Sequence, residues 1–210
     1  MSKKYEILLN EATEINGKTL YPIKALKDFG NVKAGELGGY IEKESNLSHT
    51  GNCWVREQAC VCGNAEIMQN AQICGRAHVF GNAKIYGNAR IFQNAWVSEY
   101  THVFDNAEIC GDTYLSGNSH IGLDAVIEKK NDCISLCFND NGNTTTFFST
   151  EKGVGVAESG QTYTIDEYIS YLIETYGINS KTYNDFVLLI QAMKSKLGGG
   201  KFKRNIYPVD

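Results

Sequence analysis

Four histidines, His49, His78, His102 and His120, are the side chains of this sequence best suited to move a proton near neutral pH. Three of them, His78, His102 and His120, each stand one residue before an aliphatic residue, in positions where Glu, Lys, Arg and Gln also occur. That company reads as a tolerant outward site, with His102 and His120 as the candidates for a general base. Seven cysteines offer thiolate chemistry, but Cys60-x-Cys62 and Cys133-x3-Cys137 lack the CxxC pairing and nearby histidine of a structural zinc site. No metal is expected, and the cysteines read as small apolar fillers. A third chemistry is recognition. Phe80, Lys84, Tyr86, Arg90, Phe92, Trp96, Phe104 and Tyr114, with His78, His102 and His120, combine aromatic rings with cations, a set suited to a planar anionic molecule such as a nucleotide. No GxGxxG after a strand, P-loop or GxSxG is found, so neither a bound cofactor nor a serine nucleophile is expected.

The elements that must position these residues are written in a repeat. From Gly51 the chain reads GNCWVR, EQACVC, GNAEIM, QNAQIC, GRAHVF, GNAKIY, GNARIF, QNAWVS, EYTHVF, DNAEIC, GDTYLS, GNSHIG and LDAVIE, thirteen six-residue words ending at Glu128. The fifth position is Val or Ile in every word but one, where it is Leu115, which suits a short extended segment. The third is always Cys, Ala, Thr or Ser, a second inward site that accepts only small side chains. The second is Asn or Asp in ten words, residues that tolerate the left-handed backbone of a tight corner, and Gly is frequent just before it for the same reason. One word cannot bury its aliphatic residue alone, whereas stacked words make a continuous column. Spacing by six fits no amphipathic helix.

The words, for example Ile85-Tyr86-Gly87-Asn88-Ala89-Arg90, resemble the aliphatic–x–x–Asn–small–x repeat of hexapeptide-repeat, left-handed parallel β-helix proteins. The resemblance implies three words per coil, about four coils, and assembly into trimers. With eighteen residues per coil, Glu66, Lys84, His102 and His120 fall on one face beside Met68, Tyr86 and Phe104. Cys60, His78, Trp96 and Tyr114 fall on another with Phe80 near Trp96, and Arg90 and Phe92 share the third. Three aromatic faces are too apolar to stand bare, so they are expected to line interfaces or clefts between subunits. The best-known hexapeptide-repeat proteins are acyltransferases, which the resemblance implies use a histidine base and a loop extruded from the coils. Here no loop leaves the words between Gly51 and Glu128.

Outside the words, residues 1–50 read as an N-terminal β cap with KYEILL and TLYPIKAL as an antiparallel pair, and Ile41 and Leu47, six apart, offer an early start to the column. Residues 129–200 read as a small α/β module: strands CISLCF, TTTFFS and VGVA, the first two joined by NDNGN, then a helix behind the capping box Thr164-Ile165-Asp166-Glu167 and a second helix. Gly198-Gly199-Gly200 leads into a short basic tail, 201–210. The fold class expected is therefore mainly β, a parallel β-helix between two caps. The phrases ALKDFGNVKAGELGGYIEKESNLS, GNCWV, TIDEY and GINSKTY resemble a group of uncharacterised phage and prophage proteins with GNA repeats, which implies expression inside a bacterial host.

At 210 residues, with 42% apolar and 21% charged residues, the chain has the composition of an ordinary globular protein. A net charge of −4 gives no global field for nucleic acid, and no run is long and apolar enough for a membrane span or a signal peptide, so a cytoplasmic location is expected. The function expected is a non-catalytic, trimeric binding scaffold of phage type that captures a host protein or sequesters a nucleotide-like signal in inter-subunit clefts. An acyl-CoA-dependent acyltransferase and a structural or virion-associated protein are the alternatives.

Overall fold

The computed structural model describes residues 3–137, 144–178 and 180–197; the NDNGN turn, the three glycines and the basic tail lie outside the described residues. Each word forms a two-residue strand from its fourth and fifth positions, from Trp54–Val55 to Val126–Ile127. These strands stack in three parallel sheets, each pairing with the strand eighteen residues away, as in Ile85 opposite Val103 and Ile91 opposite Ile109. Fifth-position side chains fill the interior, with Val79, Ile85, Ile91, Val97 and Val103 all fully buried, and the third-position alanines are buried between them. The chain is thus a mainly β protein built on a parallel β-solenoid. Its column starts earlier than Gly51: strand Leu37–Ile41 sets Ile41 beside Val61, and Leu47 bridges Ile67. Those two rungs extend the solenoid from a little over four turns to about five.

The second-position Asn does not take the left-handed conformation that the sequence offers to it and to the Gly before it. All thirteen first positions do so instead, from Gly51 to Leu123, with φ between +53° and +84°. The second-position side chains form ladders parallel to the axis. Asn52 donates to Asn70 at 3.3 Å, Asn70 to Asn88 and Asn88 to Asn106 at 3.1 Å, and Asn94 to Asp112 at 2.9 Å. First positions that are not glycine satisfy a corner amide one turn up: Gly75 N–H donates to Glu57, Gly87 to Gln69, Gly111 to Gln93 and Gly117 to Glu99, at 2.6–2.7 Å. These acids and amides are structural acceptors, since a buried or corner N–H needs a partner.

Hydroxyls at the third position test the interior. Thr113 Oγ1 donates to Cys110 O at 2.6 Å, whereas Thr101 Oγ1 is buried with no partner among the described residues. An unsatisfied buried hydroxyl costs about 1–3 kcal/mol. We expect Thr101→Ala to leave stability unchanged or raise it, and Thr113→Ala to lower it, in urea denaturation. The reverse ranking would refute this account of the interior.

Both ends of the column are covered, as open strand edges require. At the N-terminal end, strand Lys18–Ala25 pairs antiparallel with Tyr5–Ile7, with Thr13–Ile15 and with Leu37–Ile41. At the other end, a four-stranded antiparallel sheet carries Cys133–Cys137, Thr144–Thr150, Gly153–Glu158 and Gln161–Thr164. Three of these are legible in the sequence. QTYT lacks a run of strand-forming apolar residues, and its pairing with Gly155–Glu158 makes it a strand. Phe148 and Ala157 join the solenoid core, while Phe147 and Val156 on the opposite face join the core of two helices. Those helices are α1 (Ile165–Tyr176), started by the reciprocal Thr164/Glu167 capping box, and α2 (Lys181–Leu197). The sheet therefore caps its own solenoid and the helices cover the sheet.

Candidate functional site

The parallel register brings the chemistry-bearing residues together by face. On the first, His78 stacks on Trp96 with ring centroids 4.6 Å apart, Tyr114 lies 6.4 Å beyond, and Phe80 meets Trp96 edge-on at 5.8 Å. Tyr114 is exposed; the others are half-buried against each other. On the second face, Glu66, Lys84, His102 and His120 are consecutive partners across the sheet. The rings of His102 and His120 are 4.7 Å apart, and Tyr86 lies flat on Phe104, at 5.2 Å and 6°. On the third, the Arg90 guanidinium pairs with Glu108 at 3.1 Å and lies over the Phe92 ring at 5.5 Å. His49 belongs to none of these faces. It stacks on Tyr5 in the N-terminal cap and bonds Glu44.

Two details separate the faces. Phe104 is buried, because its ring lies over Gly122, where an added Cβ would stand 2.6 Å from Phe104 Cε2. It is a floor for Tyr86 and offers no open ring. Arg90 is already committed to a carboxylate, but no carboxylate pairs with Lys84 among the described residues. The second face thus holds a free ammonium in column with two imidazoles, beside a half-exposed phenol ring. The same rings that give the sequence its aromatic character largely cover one another along the prism; only Tyr100 and Tyr114 remain exposed large hydrophobics within the words.

Burial lowers the pKa of His78, and burial, then His120, then Lys84 lower that of His102. A neutral His102 near pH 7 is a proton acceptor. Between the ordinary value of 6.5 and the lower folded value, the unfolded chain binds more protons than the folded one. The contribution is therefore intact above about pH 6.5 and is lost as pH falls through the folded pKa. We expect a shallow drop in melting temperature from pH 7 to pH 5, shallow because solvent screens half-exposed groups. His102→Gln should flatten it; an unchanged slope would assign the acid loss to other groups.

The cysteines are placed for packing. Burial pushes the Cys60 thiol up to about 11 and those of Cys110 and Cys133 up to about 12, far from the reactive thiolate range. Among the described residues no three His, Cys, Asp or Glu side chains converge as a metal site. No described helix is long and apolar enough to cross a membrane.

A cleft of about 680 Å³ opens where the last turn meets the C-terminal module. Its walls include Asn106 and Asp124 from the solenoid, Lys152 from the turn after Thr150, Thr164 from the sheet, and Asp166 and Lys194 from the helices. The repeat gave no signal for it, because it forms between two units that the period does not relate.

These features define the class: a parallel β-solenoid of hexapeptide type, a β-helix repeat protein. Residues 83–99 match the family model of the YdcK β-solenoid repeat. Over 39 residues the chain is 46% identical to the uncharacterized acetyltransferase YdcK of Escherichia coli strain K12, a match spanning 19% of this chain and 12% of that protein.

Proposed function

We propose that this protein is a non-catalytic binding scaffold whose ligand face is the Lys84–His102–His120 column with Tyr86, and that its ligand is a planar anionic molecule of nucleotide type. The observation that carries this reading is the unpaired Lys84 ammonium in register with two imidazoles and flanked by an aromatic ring. An ammonium and imidazole N–H donors spaced one strand apart suit successive anionic groups, and an aromatic wall suits a base. A trimer, in which such faces meet between copies, would enclose the ligand, and the phage resemblance favours a host-derived target. Native mass spectrometry on protein purified from its bacterial host tests the assembly, followed by denaturation and analysis of the released small molecules. Titration with a nucleotide panel tests the face directly. Binding weakened about tenfold or more by Lys84→Ala and by His102→Ala supports the reading, since a charge-assisted contact contributes about 1.5–3 kcal/mol. No binding across the panel, or binding indifferent to both variants, rejects it.

An acyltransferase is the second reading, favoured by the short match to an uncharacterized acetyltransferase and by a His102 held neutral. It requires acetyl-CoA-dependent product formation abolished by His102→Ala or His120→Ala. Against it stands the uninterrupted run of words, which leaves no loop to cover an acceptor.

A further inference from the structure

Lys4 is fully buried at the N-terminal end of the solenoid, and no carboxylate pairs with it among the described residues. Its Nζ donates to Cys53 O at 2.9 Å and to Gly51 O at 3.4 Å, lies 3.3 Å from Cys53 Sγ, and stands 4.8 Å over the Phe29 ring. Among the described residues the side-chain heteroatom bonded to it is a thiol sulfur, itself fully buried. A buried amine without a counter-ion is costly, and a Leu or Met would fill the same space without that cost. The main chain fixes the amine from both sides: Lys4 N–H donates to His49 Nδ1 at 3.2 Å, and Lys4 O accepts from Leu26 N at 2.9 Å.

We propose that the Lys4–Cys53 pair is a covalent modification site, at which hydrogen peroxide joins Lys4 Nζ to Cys53 Sγ through a single bridging oxygen. The change balances with two peroxides. Sulfur gives up two electrons on passing from thiol to S–O, and nitrogen gives up two on passing from amine to N–O. Those four electrons break the two O–O bonds. The S–H and one N–H are lost, the N–O and O–S bonds form, and three waters leave. Burial lowers the Lys4 pKa, which favours the neutral amine that the step needs. Peroxide reaches the pair from the neighbouring corner, where Gly51 and Asn52 are exposed. The bridge ties the strand entering the cap to the first full turn, so it acts as a cross-link between residues far apart in sequence and raises the melting temperature of the oxidised chain.

The full-length protein is treated with hydrogen peroxide or with dithiothreitol, digested and analysed by mass spectrometry. The expected product joins the Lys4 and Cys53 peptides at their summed mass plus one oxygen and minus two hydrogens. It disappears on dithiothreitol treatment and is absent from Lys4→Arg and Cys53→Ala, and the oxidised wild type melts at a higher temperature than the reduced one. The half-buried Cys62 and Cys74 report in the same digest whether oxidant acted. With those two oxidised, Cys53 recovered as a free thiol, or as a sulfinic or sulfonic acid beside an unmodified Lys4, overturns the proposal. The overturning result is read on the wild-type protein, so the test stands even if a variant fails to fold.

Discussion

Ile91→Ala is expected to destabilise the folded chain by about 2–5 kcal/mol. Ile91 is fully buried in the middle of the column, between Ile73 on one side and Ile109 on the other. Truncation removes the transfer energy of the lost methyls and leaves a cavity. That cavity cannot close readily. Its walls are strands held at the fixed ladder spacing by Phe92 N–H to Ile109 O and Arg90 N–H to Ala107 O, each 2.9–3.0 Å long. Ala89 and Ala95, the small inward residues around it, have no side chain able to swing into the space. A loss of this size is a large part of the roughly 5–15 kcal/mol that holds an ordinary domain together. Urea denaturation of the variant measures it, and a loss under about 1 kcal/mol would mean that the turns relax freely.

The second large effect lies at a corner. Gly81→Ala should cost about 2–5 kcal/mol, and Gly63→Ala only about 1–2. Both glycines have left-handed φ, +71° and +66°, so both variants carry the steric cost of a Cβ there. They differ in what lies one turn up. At Gly81 the new Cβ would stand 2.6 Å from Glu99 N, and Glu99 is itself pinned by accepting from Gly117 N–H at 2.6 Å. At Gly63 the nearest atom is Gly81 N at 3.1 Å, and a glycine there gives way more easily. Equal losses for the two variants would show that backbone strain alone, and no contact between turns, selects glycine.

The period of six was enough to locate every word strand, because a solenoid makes long-range contacts periodic: residue i meets residue i+18 by translation, so the alternation of Ile or Val with Ala records tertiary packing in one dimension. The same arithmetic places Lys84, His102 and His120 in one column and His78 with Trp96 in another. It left the corner between two positions. Asn stands at the second position in eight words and Gly at the first in seven, and only the backbone shows that the first residue turns while the second builds the Asn52–Asn70–Asn88–Asn106 ladder.

Sequence by itself thus determined the architecture of the repeat, its inward and outward positions and the grouping of candidate residues by face. Tertiary structure alone decided what those residues are free to do. The Arg90–Glu108 pair, the Phe104 ring over Gly122 and the unpaired Lys84 depend on side-chain directions that identical spacings do not distinguish. The caps likewise depend on the tertiary fold. Lys4 against Cys53, Leu47 on Ile67 and the sheet seated by Phe148 join segments that share no period, so nothing local in their sequence records the contact.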